Sequence, residues 1–188
     1  MKWYLDRQAD KGDSFQIPDR AEQQIQAMWD RHPGKMREWF DQNTRWYIAE
    51  LDAVEDVSNL VFLESSWTKA AGLVIPGGLN YRLLHRVARN ALACHYLSTL
   101  PANHQEHRKY YDLLLRGELQ LSGINRVAIC TAEQTEVEWN PDAHYYLLDG
   151  VGRSLPYMML LLEQKAEHVP IEAFVAQRAT HETGPSSS

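Results

Sequence analysis

The spacing of apolar residues changes along the chain from a helical repeat to short strand-like runs, and it predicts an α+β fold. Apolar residues recur every three or four positions between residues 19 and 56, which predicts amphipathic helices. A short apolar run from Asn59 to Leu63 predicts a buried strand. Two further helices are predicted, from Leu79 to about Leu97 and from Gln105 to Leu115. These elements make residues 1–115 a mostly helical half.

The last third of the chain alternates strands and turns around one apolar helix. Strands are predicted over Asn125–Thr131, Ala143–Leu148 and Val169–Val175. The segment Leu155–Lys165 is apolar nearly all round, so we expect it to form a buried helix. Pro156 fits this helix only if it lies in the first turn, where its missing amide costs nothing.

Length and composition indicate one folded domain. The chain has 188 residues, of which 44% are hydrophobic and 23% charged, as is ordinary for a globular protein. We expect one domain over residues 1–182, with a core over about 117–176 that follows the helical half, and a flexible tail over 183–188. The N-terminus lacks an apolar leader and no run approaches the roughly 20 apolar residues of a membrane span. We therefore expect no membrane insertion and a cytoplasmic location.

One face of the predicted helix from Leu79 to about Leu97 suggests that the protein binds nucleic acid. The net charge of −6 argues against a protein that coats nucleic acid by bulk electrostatics. Between Gly78 and Ala102, however, no acidic residue occurs, and one face of the predicted helix is basic: Arg82, His85, Arg86 and Arg89. We predict that Arg82, Arg86 and Arg89 contact DNA phosphates without sequence preference. The alternative is a solvated helix face.

Cysteines and histidines do not form a strong metal-binding pattern. Cys94 and Cys130 lie far apart, and we interpret them as buried thiols rather than as a disulfide or part of a zinc site. His104 and His107 have a spacing that can hold a metal, but no third ligand is evident nearby. We interpret both as surface histidines.

The segment with the strongest candidate functional residues joins the predicted strand 143–148 to the apolar helix. A strand that turns through glycines into a helix aims backbone amides and the positive helix end at one point, and Arg153 adds a cation there. This pattern predicts a phosphate-binding turn with the nucleotide-binding residues Gly150, Val151, Gly152, Arg153 and Ser154. The alternative is a tight turn that needs glycine only for its backbone angles.

Asp149 precedes this turn and would lie beside the bound phosphates. A carboxylate at that position is unfavourable unless it holds a divalent metal or positions a water molecule, so Mg²⁺ is expected at a catalytic site. A second carboxylate is available from Glu133, Glu136 or Glu138. We favour Glu133 because it follows the end of a predicted strand, where open sheets place active groups. The predicted catalytic residues are thus Asp149, Arg153 and Glu133, with Asp149 and Glu133 as metal ligands.

These motifs together resemble a known family. A strand that ends in Asp149-Gly-x-x-Arg153, a helix, and a strand that reads Val169-Pro-x-x-x-x-Val175 resemble the core of the ParB/sulfiredoxin superfamily, over about Gly117–Val175. Members carry Asp/Gly-Gly-x-His-Arg at the turn, whereas Gly152 stands here in place of the usual histidine or other polar residue. Size, acidity and the helical first half are similar to the plasmid fertility-inhibition proteins of the oncogenic-suppression (Osa) type.

The resemblance implies a ParB/sulfiredoxin-like fold that hydrolyses ATP, cuts DNA with a divalent metal, and blocks DNA transfer through a conjugation-type (type IV) secretion channel. Secretion components are the protein partners that it implies. Two alternatives stay open. The protein is either a non-catalytic nucleotide-binding protein that inhibits a secretion or partition machine through segment 19–56, or an enzyme that transfers the phosphoryl group to a hydroxyl acceptor.

Overall fold

A mixed α+β fold is present, as the apolar pattern predicts. The computed structural model describes residues 2–3, 27, 44–62, 83–100, 105–122, 125–131 and 145–178. The strands are β1 (Lys2–Trp3), β2 (Thr44–Leu51), β3 (Val61–Phe62), β4 (Val127–Thr131), β5 (Tyr145–Asp149) and β6 (Ile171–Arg178). The helices within these ranges are α1 (Val54–Ser58), α2 (Leu84–Ala93), α3 (Tyr96–Thr99), α4 (Glu106–Leu115) and α5 (Val151–Leu162).

The strands form one sheet in the order β1-β2-β6-β4-β5-β3. The four strands β2, β4, β5 and β6 have five or more residues, whereas β1 and β3 have two each. At the centre, β4 runs parallel to β6 and antiparallel to β5. The start of β4 therefore lies beside the end of β5 and the start of β6, which gathers three chain segments at one end of the sheet.

Helix α5 links the sheet to the other helices. It packs against both α2 and α4, and its side chains from Leu155 to Leu160 are buried. The same core cluster includes one face of the sheet: Ala49, Leu51, Val127, Ile129, Leu147, Ala173 and Val175. Because β strands alternate their side chains, this set explains the period of two in each strand. The buried helix predicted from the all-round apolar run is confirmed, but it begins four residues earlier than the predicted start at Leu155.

The predicted helix over 19–56 is wrong for residues 44–51, which form β2. This strand pairs with β6 along all eight of its residues, so the N-terminal part of the chain contributes to the same sheet as the C-terminal part. Its sequence alternates, with Ala49 and Leu51 in the core cluster and the partly buried Tyr47 packed against it. Edge pairing with a complete partner strand outweighs the helical spacing of the residues before it. Most of 19–43 and the tail 183–188 lie outside the described residues.

The predicted helix Leu79–Leu97 is divided in two. Residues 79–82 lie outside the described part of the chain, α2 ends at Ala93, and His95 has a left-handed φ of 52° before α3 begins. A continuous helix would extend the buried stripe of Ala88 and Ala91 to residues 94 and 95. The break instead exposes Cys94 and His95 and buries Tyr96, which is 1% exposed. The prediction of a buried thiol is therefore wrong for Cys94 and confirmed for Cys130.

The predictions of the remaining elements are confirmed with small shifts of their ends. This applies to α4 and to the strands β3, β4, β5 and β6. Within the described part of the chain, the helices are too short or too polar for any of them to cross a membrane.

A polar cluster joins α4 to the end of α5. The Tyr111 hydroxyl donates to Glu163 Oε2 at 2.5 Å, and Lys165 Nζ donates to Glu163 Oε1 at 2.9 Å and to the Tyr111 oxygen at 3.0 Å. Burial would raise the pKa of Glu163, but the hydrogen bonds from Lys165 and Tyr111 and the nearby lysine charge outweigh it, so this pKa is lowered. The ionised carboxylate thus stabilises the contact between the two helices.

This cluster makes stability depend on acid pH. A carboxyl whose pKa is lowered on folding contributes stability above its unfolded pKa and loses it as the pH falls through the folded value. We expect Glu163→Gln to reduce the free energy of unfolding by about 1 kcal/mol at pH 7, and this difference to vanish in acid below the folded pKa. Urea denaturation from pH 7 to 3 measures it.

Glu118 provides a matched control, because it pairs with Arg116 at the surface with both side chains more than half exposed. Glu118→Gln should change stability little at any pH, since exposed ion pairs contribute weakly. A Glu163→Gln effect that is constant across the pH range would show that the ionised carboxylate is not what stabilises the contact.

Candidate functional site

The junction between β5 and α5 depends on a glycine at position 150. Gly150 is the N-cap of α5 and has a φ of +91°. A Cβ atom added there would lie 2.9 Å from Val127 Cγ1 and 3.2 Å from Val127 Cα, so β4 leaves no room for a side chain. Both the backbone angle and the close approach of β4 therefore require glycine. The alternative interpretation, a turn that needs glycine for its geometry, holds for this residue.

A β-bulge just before Gly150 changes the face of the sheet on which Asp149 lies. Ile129 pairs with Leu147 and Ala128 pairs with Asp149, so β5 has one extra residue, Leu148, between these pairs. Strand alternation without a bulge would place Asp149 on the same face as Leu147, which lies in the core cluster. The bulge places it opposite Ala128 instead. Bulges of this kind are frequent beside functional sites because they redirect a side chain.

Helix α5 begins at Val151, so most of the predicted turn is its first helical turn. Gly152 and Arg153 are helical residues, and Pro156 is the sixth residue of the helix rather than a residue of its first turn. The prediction for Pro156 is therefore wrong. Proline cannot donate the hydrogen bond that the Gly152 carbonyl would accept in a regular helix. The tertiary contacts of α5 outweigh this loss and the low helix propensity of glycine.

The early helix start reduces the number of amides that face outward. The amides of Arg153 and Ser154 donate to the Gly150 carbonyl at 2.9 and 2.8 Å, and the Ser154 hydroxyl donates to the same oxygen at 2.9 Å. Ser154 is fully buried. Its predicted contact with phosphate is thus not available in this arrangement, because its donors are used inside the helix. The amides of Val151 and Gly152 have no acceptor within the helix, as is usual for a first turn.

The Arg153 side chain lies across the start of β4. Its Nη2 donates to the Arg126 carbonyl at 3.0 Å and lies 3.9 Å from Asp149 Oδ2. The two side chains are 14% and 19% exposed, so they form a mostly buried ion pair without a close hydrogen bond. The Nε of Arg153 is buried and has no hydrogen-bond partner among the described residues. A buried donor of this kind is costly unless a ligand or water accepts from it.

A second ion pair extends this end of the sheet. Arg126 Nε lies 2.5 Å from Glu172 Oε2, and the Arg126 guanidinium lies over the Phe174 ring at 5.4 Å from its centroid. Glu172 is the second residue of β6 and lies directly opposite Glu50 on β2. Arg126 and Glu172 therefore form one ion pair at this end of the sheet, and Asp149 and Arg153 form another beside α5.

Gly152 faces helix α4 rather than open solvent. A Cβ atom at this position would lie 3.4 Å from Tyr110 Cε2 and 3.6 Å from His107 Nε2. His107 is only 6% exposed, so its interpretation as a surface histidine is wrong. The signal was available in the sequence, because His107, Tyr111 and Leu114 repeat at helical spacing and form the core-facing side of α4. His104 lies outside the described residues.

The other predicted site residues are only partly covered by the structure. Arg86 and Arg89 are exposed on α2, as a basic surface would require, whereas Arg82 lies in the range that the structure does not describe. Glu133, Glu136 and Glu138 lie there as well. In the described ranges no three possible ligands from histidine, cysteine, aspartate and glutamate come together. Asp149 is a hard oxygen donor beside the N-terminus of α5, and Mg²⁺ takes one or two carboxylates of this kind and completes its shell with phosphates and water.

Comparisons with protein-family models, with curated protein sequences and with solved structures gave no match for this chain. The argument for function therefore depends on the geometry of the junction between β5 and α5.

Proposed function

We propose that this protein is a nucleotide-hydrolysing nuclease with a ParB/sulfiredoxin-like core, an ATPase and DNase that acts in the cytoplasm as a fertility-inhibition factor. The observation that carries this proposal is the buried Arg153 guanidinium beside Asp149 at the N-terminus of α5. A cation, a helix N-terminus and a carboxylate at one point suit phosphate chemistry better than packing alone.

Arg153 is the residue we assign to the nucleotide phosphates. Its Nη2 is held by the Arg126 carbonyl, which fixes the plane of the guanidinium, while Nε remains to donate to a phosphate oxygen. The amides of Val151 and Gly152 supply two further donors from the helix end, and Gly150 allows the chain to turn toward them. Positive charge that is fixed before the substrate arrives stabilises the charge that develops on the transferred phosphoryl group.

Asp149 is the carboxylate that we assign to the hydrolytic step. Glu133 is its proposed partner in holding Mg²⁺, which would neutralise phosphate charge and lower the pKa of a bound water. Asp149 itself can orient that water and accept its proton. The oxygen of the water then bonds to the terminal phosphorus as the bond to the leaving phosphate oxygen breaks.

DNA is the second substrate in this proposal. Arg86 and Arg89 present two cations on the exposed side of α2, which packs directly against α5. We assign them, with Arg82, to contacts with phosphates of the DNA backbone, which carry no sequence information. Inhibition of a type IV secretion system would follow from cleavage of the DNA in transit. A non-catalytic nucleotide-binding protein that blocks the system by protein contacts is the competing function.

Loss of the Arg153 side chain tests the nucleotide site. We expect Arg153→Ala to weaken ATP binding about 10- to 100-fold, because hydrogen bonds to a charged group contribute about 1.5–3 kcal/mol. Isothermal titration calorimetry with ATP and Mg²⁺ measures this change. The variant loses the hydrogen bond to the Arg126 carbonyl and the ion pair with Asp149, so urea denaturation is measured beside the calorimetry to confirm that it is folded under the assay conditions.

Arg116→Ala is the matched control, because Arg116 lies at the surface near the end of α4 and its ion-pair partner within the described residues is Glu118. It should bind ATP as the wild type does. Unchanged affinity in Arg153→Ala would mean that the junction between β5 and α5 is structural.

A further inference from the structure

A second arginine lies at the same end of the sheet as Arg153. Arg126 directly precedes β4, and its carbonyl accepts a hydrogen bond from Arg153 Nη2 at 3.0 Å. Its side chain contacts Glu172 and Phe174, which alternate with the core residue Ala173 along β6. The guanidinium of Arg126 therefore lies on the face of the sheet opposite the core cluster, while Arg153 reaches the same backbone position from α5.

The β-bulge in β5 brings Asp149 to this face as well. Asp149 lies directly opposite Ala128, which is two residues after Arg126 and so shares its face. Diagonal neighbours on paired strands are within reach of long side chains such as arginine. The carboxylate that we assign to hydrolysis thus shares one end of the sheet with two arginines: Arg153, whose Nη2 lies 3.9 Å from Asp149 Oδ2, and Arg126.

Arg126 and Arg153 each have a buried donor that the described part of the chain does not use. Arg126 Nε lies 2.5 Å from Glu172 Oε2, but the two atoms do not have the geometry of a hydrogen bond, and this Nε has no hydrogen-bond partner among the described residues. Arg153 Nε has none there either. Buried guanidinium donors without acceptors are costly, and an anion with several oxygens can accept from both side chains.

Phe174 and Glu172 hold the Arg126 guanidinium in different ways. The Arg126 Cζ atom lies over the Phe174 ring at 5.4 Å from its centroid, a contact that orients the guanidinium without using its N–H groups. Glu172 supplies negative charge, and its side chain is 34% exposed, so water reaches this carboxylate. A phosphate oxygen can therefore take the place of the carboxylate beside Arg126 while the ring keeps the guanidinium in position.

We propose that Arg126 is a second phosphate-binding residue of the nucleotide site, and that a phosphate oxygen displaces Glu172 from it when ATP binds. This inference rests on the proposed function, because it needs Arg153 to hold one phosphate of the nucleotide. A chain of two or three phosphates offers oxygens to both arginines, each of which presents a planar fork of N–H groups. The ligand class is thus a nucleoside di- or triphosphate rather than a monophosphate, and Glu172 occupies the second arginine in the free protein.

Two substitutions should change ATP affinity in opposite directions. Arg126→Ala removes the second guanidinium, so we expect the Kd for ATP to rise about tenfold, the loss of one hydrogen bond to a charged group. Glu172→Gln removes the competing carboxylate, so we expect the Kd to fall about three- to fivefold. Glu118→Gln is the control, because it removes the same charge from an exposed pair with Arg116 and should leave the Kd unchanged. Isothermal titration calorimetry with ATP and Mg²⁺ measures all three, and urea denaturation tests whether each variant is folded.

A purely structural ion pair predicts no such opposition. Arg126→Ala and Glu172→Gln would then be less stable to urea but would bind ATP as the wild type does, and this result would overturn the inference, as would a Glu172→Gln variant that gains no affinity. If Arg153→Ala loses ATP binding while Arg126→Ala keeps it, the inference about Arg126 fails and the proposed function stands. If the wild type does not bind ATP, the proposed function itself fails.

A measurement on the wild type keeps the inference testable if Arg126→Ala does not fold. The Nε–H group of each arginine gives its own ¹H–¹⁵N NMR signal, and that of Arg126 is assigned from its absence in Arg126→Lys or by through-bond correlation. Addition of ATP with Mg²⁺ should shift the Arg126 signal, because a phosphate replaces Glu172 beside it. Binding of ATP without a shift of this signal would overturn the assignment.

Discussion

Gly150→Ala should destabilise the protein by about 2–5 kcal/mol. The left-handed backbone of Gly150 costs an alanine about 1–2 kcal/mol, and the new methyl group must also displace Val127 at 2.9 Å, which adds a further 1–3 kcal/mol of overpacking. Because the backbone of β4 lies within 3.2 Å of the new Cβ, a side-chain rotation cannot remove the clash. Urea denaturation followed by circular dichroism measures the free energy of unfolding.

Gly117→Ala separates the two contributions. Gly117 also has a left-handed φ, +68°, but an added Cβ would meet nothing within 4 Å. This variant should lose only the conformational cost of about 1–2 kcal/mol. Equal losses in the two variants would show that β4 does not crowd the junction, and would contradict the geometry on which the position of Asp149 depends.

Asp149→Asn should lower the rate of ATP hydrolysis roughly a hundredfold or more, which is the usual contribution of a positioned acid–base group. The amide keeps the size of the side chain but neither accepts a proton nor binds a cation well. ATP affinity should change less than kcat, because Arg153 and the helix amides remain. Initial rates of phosphate release at saturating ATP measure the effect.

Asp112→Asn is the control for this loss of charge. Asp112 lies on α4 and pairs at the surface with Arg108, at 3.7 Å. Its substitution should leave hydrolysis unchanged. Normal hydrolysis in Asp149→Asn would remove the carboxylate from the mechanism and leave the competing function, a nucleotide-binding protein without catalysis.

The sequence predicted the parts of the site whose signals are local. The apolar run after Leu155 indicates a buried helix, and the strand before Asp149 carries two tyrosines, which are frequent in strands. Asp149 and Arg153 therefore fall at one end of the sheet, as the strand–glycine–helix pattern requires. Their 3.9 Å separation follows from that helix starting directly after Gly150.

Long-range contacts determined what the sequence could not predict. The bulge at Leu148 depends on how β5 pairs with β4, and it reverses the face on which Asp149 lies. Residues 44–51 form β2 because they pair along their whole length with β6, which lies 120 residues or more further along the chain. The approach of His107 to Gly152 depends on the packing of α4 on α5. Each of these involves two elements that are distant in sequence.

The most direct test of the proposal follows phosphate release and DNA strand length together. Purified protein is incubated with ATP, Mg²⁺ and single-stranded DNA, with and without EDTA, beside the Asp149→Asn and Arg153→Ala variants. The proposal predicts that the wild type releases phosphate and shortens the DNA, that EDTA stops both reactions, and that both variants lose phosphate release. Wild-type protein that binds ATP but neither releases phosphate nor shortens DNA would contradict it.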